Sequence, residues 1–317
     1  MFGGKQSQRS CHDEMSAILT SQAIQTLRGR LLKDESLDHY TSWRTGGAAD
    51  YVYLPKDIQD LSSFLRYLPE NIPLLWLGLG SNTLIRDGGV EGVVIITQGG
   101  LNQLVQLNPR EIRAEAGVSS AQLARYSARL ACAGLEFMAG IPGTVGGALA
   151  MNAGCFGGET WRVVQAVEMI NRRGDITKRQ QDEFEITYRH VRWANDEWFV
   201  AGYFGVVSGE KEQSLGKIRE LLERRSHTQP IGTANCGSVF RNPPGDYAGR
   251  LIELCGLKGK KRGGARVSEK HANFIINDDQ ATSADIEDLI MDVGAVVEQK
   301  TGVRLIPEVC IIGRQKR

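Results

Sequence analysis

Two glycine-dense segments constrain this chain more than any other feature. Gly78-Leu79-Gly80-Ser81-Asn82 follows an apolar run, 72–77, that reads as a strand. Further on, Ile141-Pro142-Gly143-Thr144-Val145-Gly146-Gly147-Ala148 leads into Asn152-Ala153-Gly154. A backbone so poor in side chains can turn with positive φ and can bring its N–H groups close to a ligand. Each segment alone fits a tight turn, or a helix packed closely on a sheet, as well as it fits a phosphate cradle. Together they point to one elongated diphosphate ligand lined by both. Neither is a familiar nucleotide fingerprint. Thr83 follows the first with no amphipathic helix, and no Gly-Lys-Ser/Thr follows the second. Glycine is in excess, 37 against 9 prolines, but has no Gly-X-Y period, so collagen is excluded.

The 317 residues suggest about two domains. With 41% apolar and 24% charged residues the chain can bury a core and is not a disordered polymer. The net charge of +1 supplies no global field for nucleic acid or a membrane surface. Apolar runs such as 74–79 and 93–96 are too short to cross a bilayer. Residues 1–14 hold no apolar signal core, so a cytoplasmic location is expected. The six cysteines form no Cys-x-x-Cys pair and the five histidines no His-x-x-x-His pair, so free thiols and no metal site are expected.

Residues 1–13 read as a tail and 15–32 as a helix carrying Ile18, Leu19, Leu27 and Leu31. A strand at 51–54, an amphipathic helix carrying Ile58, Leu61, Phe64, Leu65 and Leu68, and strands at 72–77 and 93–97 form a small α/β layer. A strand at 112–116 precedes a helix at 119–133, capped by Ser119 and stopped at Gly134. Strands at 163–170 and 198–207, a helix at 215–225, a boundary at Gln229-Pro230 and a strand at 272–276 follow. The clearest helix carries the stripe Ile286, Leu289, Ile290, Val293, Val296 and Val297.

Three further stretches can carry chemistry. In Cys236-Gly237-Ser238-Val239-Phe240-Arg241-Asn242-Pro243-Pro244-Gly245, Ser238 is a turn residue, a nucleophile or a proton donor, although the Gly-x-Ser-x-Gly elbow is absent. Residues 258–270 hold Lys258, Lys260, Lys261, Arg262, Arg266 and Lys270 against one acid, Glu269, which suits a solvated loop or an anion site. Tyr188-Arg189 and Pro307-Glu308-Val309 say little alone.

Taken in order, these segments resemble the UDP-N-acetylenolpyruvoylglucosamine reductase family. The resemblance rests on Arg44-Thr45-Gly46-Gly47-Ala48-Ala49-Asp50, on 78–87, 140–159, Tyr188-Arg189-His190, 236–245, 248–264, 267–277 and 305–309, and spans roughly 35–313. The short connection after Arg189 and the Ser-Val-Phe-Arg-Asn-Pro-Pro-Gly stretch resemble the subclass with an abbreviated substrate loop. The resemblance implies an α+β protein with a two-part FAD-binding module of the vanillyl-alcohol-oxidase type and a C-terminal α+β substrate-binding domain. Its parts would be an extension at 1–34, FAD-binding subdomains at 35–100 and 101–222, and a substrate domain at 223–317. It implies non-covalent FAD held by Thr45, Gly46, Gly47, Gly78, Leu79, Gly80, Ser81, Asn82, Ile141, Pro142, Gly143, Thr144, Gly146, Gly147, Asn152 and Gly154. It further implies NADPH as hydride donor and UDP-N-acetylglucosamine enolpyruvate as substrate. Ser238 would give the proton, Arg189 and Glu308 would stabilise the enolate, and Arg225, Asn242 and Lys270 would hold the substrate. The chain departs from the family at Val191, where a serine is common, and at Cys155-Phe156, where alanine and tyrosine are more common.

Overall fold

The computed structural model describes residues 26–316. Its first module is built from β1 (Arg30–Ser36), β2 (Ala48–Leu54), α1 (Ile58–Tyr67), β3 (Leu74–Leu77), β4 (Thr83–Ile85) and β5 (Val90–Ile96). The sheet order is β1-β2-β5-β3, with β1 antiparallel and the other pairs parallel. Parallel strands are covered on both faces, so they read as continuous apolar runs. In β5 the alternation divides the run: Val93 and Ile95 join the core under α1, and Val94 and Ile96 join a second core with Leu37 and Ile85. α1 begins at Asp57, whose carboxylate accepts from the Asp60 amide, and it lays Phe64 on Tyr53 with ring centroids 3.8 Å apart.

The helix expected over 15–32 falls partly outside the described residues. Where it is visible it is overturned, because Arg30, Leu31 and Leu32 lie in β1, paired with Leu54, Tyr53 and Val52. Local helical spacing loses here to an edge position on a preformed parallel sheet.

The second module contains β6 (Leu104–Asn108), β7 (Glu111–Glu115), α2 (Ser120–Arg129), α3 (Val145–Ala150), β8 (Val164–Asn171), β9 (Ile176–Gln180), β10 (Glu197–Gly205) and α4 (Lys211–Thr228). Its antiparallel sheet runs β9-β8-β10-β7-β6. The helices cover one face, with Leu123, Leu149 and Ile218 packed against Ile112, Val167 and Phe204. Ser119 caps α2 through a reciprocal capping box with Gln122. The helix stops earlier than Gly134, because Ala131 takes φ +54° and Cys132–Ala133 turns away to pair with Val207–Ser208. Val191, at the position where the family often has serine, is buried in this core.

The two modules meet through a mixed core in which Ile170 and Val200 join the residues under α1. Trp76 stacks on Trp198 at 5.0 Å, and Ser62 Oγ donates to the Gly174 carbonyl at 2.6 Å.

The third module contains α5 (Ala248–Leu254), β11 (Lys261–Arg262), β12 (Ala265–Val267), β13 (Ile275–Asn277), α6 (Ser283–Thr301) and β14 (Cys310–Ile312). The expected apolar stripe of α6 packs on β12 and β13, and Gly302 ends the helix at φ +72°. This module is fastened to the first. β14 pairs in parallel with β4, and Trp43 and Leu84 enter the third module's core. Trp43 Nε1 donates to the Ile275 carbonyl at 2.8 Å, and Asn277 Nδ2 donates to the Trp43 carbonyl at 2.8 Å. Among the described residues, no helix is long and apolar enough to cross a membrane.

Candidate active site

The two glycine segments meet in space. The first turns off the end of β3 and the second opens α3, whose N-cap is Thr144. A Cβ on Gly78 would lie 2.4 Å from Thr144 Oγ1, and one on Gly143 would lie 3.1 Å from Ser81 Oγ. Gly80 takes φ +56°, and a Cβ there would come within 2.4 Å of the Tyr40 carbonyl oxygen. Only glycine fits such a turn without strain. The segments line a cleft of about 440 Å³ that all three modules enclose. Its walls include Gly78, Leu79, Gly80, Ser81, Asn82, Ile141, Pro142, Gly143, Thr144, Gly147 and Gly154. A Cβ on Gly147 would meet only Thr144 Oγ1, at 3.8 Å, whereas Gly146 packs on Ala116, where a Cβ would meet Ala116 Cβ at 2.9 Å.

Other residues implied by the resemblance stand elsewhere. Thr45, Gly46 and Gly47 line a separate hollow with Asp87 and Thr282. Asn152 is buried, with its amide spent on the Thr187 carbonyl, the Glu159 carboxylate and the Trp161 amide. Asn82 lines the cleft, and its Nδ2 donates to the Glu308 carbonyl at 3.0 Å and to Met151 Sδ at 3.0 Å.

At one end of the cleft, Arg189, Ser238 and Glu308 come together from separate elements. Arg189 sits at the two-residue tip of a hairpin pairing Glu185–Thr187 with His190–Arg192, and it holds φ +56°. A large side chain in the left-handed region costs roughly 1–2 kcal/mol, so the backbone is strained where the guanidinium is aimed. Its Nη2 donates to the Gly154 carbonyl at 2.8 Å. Its Nε lies 3.3 Å from Glu308 Oε1 without hydrogen-bond geometry, which leaves a buried donor unspent. The Glu308 side chain is only 13% exposed. Burial pushes its carboxyl above the usual range, against the opposing pull of Arg189 and Arg241.

Ser238 and Glu308 are joined through the backbone. Phe240 forms an isolated antiparallel bridge with Pro307, and the Glu308 amide donates to the Val239 carbonyl at 2.7 Å. Arg225, near the end of α4, also lines the cleft, where burial holds its guanidinium below its ordinary value. Its Nε donates to Gln229 Oε1 at 2.8 Å. Asn242 is turned away, its Oδ1 accepting the Ala248 amide at the start of α5. Lys270 reaches across to the Ser226 carbonyl and does not line the cleft.

Four of the six cations at 258–270 pair with acids from elsewhere in the fold. Lys258 pairs with Glu253, Lys260 with Asp292, Arg262 with Asp288 and Arg266 with Asp278. Cleft residues that sequence reasoning did not single out include Met151, Phe274 and Cys310. None carries a local pattern, and each reaches the cleft through tertiary packing.

A cleft lined by glycine backbone and closed by apolar side chains from β3 and α3 suits a dinucleotide with a flat ring system, and the fold defines the class. Residues 49–179 match the FAD binding domain family model. 6-Hydroxy-D-nicotine oxidase from Arthrobacter nicotinovorans shares the fold, with TM-score 0.55 at 13% identity over 91% of this chain and 90% of that one. The chain thus carries an FAD-binding domain, on a fold shared with that oxidase, and its cofactor is FAD.

The remainder narrows the class. Residues 229–312 match the model described as UDP-N-acetylenolpyruvoylglucosamine reductase, C-terminal domain. The UDP-N-acetylenolpyruvoylglucosamine reductase of Legionella pneumophila (strain Corby) is 56% identical over 296 residues, covering 93% of this chain and 96% of that one. The reductase of Coxiella burnetii (strain Dugway 5J108-111) is 53% identical over 91% of this chain and 97% of its own. The crystal structure of the Thermus caldophilus reductase superposes with TM-score 0.77 at 30% identity, covering 90% of this chain and 99% of that one. The chain belongs to the UDP-N-acetylenolpyruvoylglucosamine reductase family and is an FAD-dependent oxidoreductase of peptidoglycan precursor synthesis.

Proposed function

We propose that this enzyme reduces the enolpyruvyl ether of UDP-N-acetylglucosamine enolpyruvate to the lactyl ether of UDP-N-acetylmuramate, with NADPH as reductant, in the cytoplasm. The observation that carries this reading is the convergence of Arg189, Ser238 and Glu308 at one end of the cleft lined by both glycine segments. Gly78 to Asn82 and Ile141 to Thr144 would hold the FAD, which when bound supplies hydride to the enolpyruvyl methylene carbon after reduction by NADPH.

Hydride addition leaves negative charge on the carbon beside the carboxylate. The Ser238 hydroxyl delivers its proton there, which a weak acid can do against a strongly basic carbanion held in contact. Arg189 has a buried Nε with no hydrogen-bond partner, so its fork can take the substrate carboxylate and the charge that develops on it. Burial raises the Glu308 carboxyl against the pull of Arg189 and Arg241, which favours the protonated form that can donate to the enolate oxygen. Arg225 is the cation in the cleft suited to the substrate's diphosphate. Asn242 and Lys270 would support that end from outside the wall, Asn242 by starting α5 and Lys270 by tying down the end of α4.

The test is an anaerobic visible spectrum with additions in sequence. NADPH should bleach the flavin, and UDP-N-acetylglucosamine enolpyruvate should restore its colour. Bleaching without return discards this substrate, and the absence of bleaching discards NADPH as the reductant.

A further inference from the structure

Ser238 and Glu308 depend on one buried amide outside the cleft wall. Asn273 is 3% exposed within the third module's apolar region. There an unbonded amide would be costly and an aliphatic residue would be cheaper. Its Oδ1 accepts from the Phe240 amide at 3.0 Å, and its Nδ2 donates to the Phe240 carbonyl at 2.8 Å. Its own carbonyl accepts from the Val239 amide at 2.9 Å. One side chain thus pairs with both polar groups of Phe240, as a neighbouring strand would. On the other side of the same segment lies the Glu308 strand, bonded through the Glu308 amide to Val239 and the Arg241 amide to Ile306. The segment that starts at Ser238 is therefore held between Asn273 and the backbone that carries Glu308.

Asn273 is itself tied to the flavin side. It leads directly into β13, where Trp43 bonds both Ile275 and Asn277. The neighbouring Ser42 donates from Oγ to the Leu79 carbonyl and from its amide to the Gly80 carbonyl, both at 3.2 Å. A hydrogen-bonded path thus runs from the Gly78–Asn82 turn to Ser238.

We infer that Asn273 is a positioning residue for proton delivery, setting Ser238 in register with Glu308 and with the flavin turn. The inference rests on the proposed role of Ser238. A misplacement of about 1 Å in a reacting group costs on the order of 100-fold in rate, whereas flavin reduction does not use Ser238.

The test uses Asn273→Leu, which is close in shape and has neither the acceptor for the Phe240 amide nor the donor for the Phe240 carbonyl. Independently of turnover, hydrogen exchange at the Phe240 amide should accelerate in the purified protein. In single-turnover stopped flow, flavin reduction by NADPH should stay within about twofold and reoxidation by the enolpyruvyl substrate should slow about 100-fold. In the Ser238→Ala background the same change should slow reoxidation no further, because both act on one step. Equal slowing of both half-reactions, full additivity with Ser238→Ala, or unchanged exchange at Phe240 would overturn the inference. Should Asn273→Leu not fold, Asn273→Ser carries the same three readouts. Undiminished reoxidation in Ser238→Ala alone overturns the proton-donor reading and this inference with it. A slow Ser238→Ala beside a fast Asn273→Leu overturns this inference alone.

Discussion

The two ends of the cleft are made of different material. The flavin end is backbone: Gly78, Gly80, Gly143 and Gly147 come from two short segments that touch each other, and the contacts follow from missing side chains. The chemical end is made of side chains, in which Arg189 from a strained hairpin tip, Ser238 from a bridged segment and Glu308 from just before the last strand meet across long sequence distances. Binding a large cofactor requires shape and donors, which glycine turns provide locally. Delivering a proton and stabilising a charge require particular groups at particular distances, and only the packed fold provides those.

The comparison predicts that damage to the first end removes the cofactor, while damage to the second spares it. The largest effect is expected for Gly80→Leu. It needs a left-handed leucine with its Cβ against the Tyr40 carbonyl, so flavin affinity should fall by about tenfold or more, read as the flavin-to-protein absorbance ratio after dialysis. Full flavin retention would break the distinction from one side. Ser238→Ala should keep its flavin and its reduction by NADPH, while reoxidation by the enolpyruvyl substrate slows about 10²–10⁴-fold. Loss of flavin from that variant would break it from the other.

Arg189→Gln sharpens the electrostatics of the chemical end. Burial raises the Glu308 carboxyl and Arg189 opposes that rise, so removing the guanidinium should carry the titration to higher pH. Infrared difference spectra of the carboxyl band across a pH series would show it, and a downward move would refute the assignment. The linked stability runs the same way. A carboxyl whose folded value is raised favours the fold below its unfolded value, and that benefit is lost as pH rises through the folded value. In Arg189→Gln the loss should come at higher pH and be larger. The smallest effect is expected for Thr282→Ala, which removes the N-cap of α6 and its bond from the Asp285 amide. About 1 kcal/mol of stability should go, seen as a lower Tm, with the flavin spectrum unchanged.

Much of the local structure was legible. The stripe on α6 and the Ser119 cap of α2 are written within a few turns of chain, where periodicity and capping chemistry act. The start of β1 was not legible, because Leu31 falls at helical spacing from Leu27 in the sequence and becomes strand only by pairing with Tyr53. The run at 258–270 reads as a block of positive charge, and in the folded protein four of its six cations are paired, since Asp278, Asp288, Asp292 and Glu253 approach it from other elements. The family resemblance named Arg189, Ser238 and Glu308. The residues taken singly did not, and Asn273 carried no mark at all.

By itself the sequence determined the turns, caps and amphipathic faces, and the presence of two backbone surfaces bare enough to receive a cofactor. These depend on φ preferences, missing Cβ atoms and side-chain period, all properties of neighbours along the chain. The tertiary structure alone decided that the two surfaces face each other, that Asn82 ties the flavin turn to Glu308, and that burial shifts the Glu308 carboxyl while Arg189 restrains it. Those outcomes depend on distance through space and on exclusion of water, and neither is set until β14 has paired with β4 and the third module has closed over the first two.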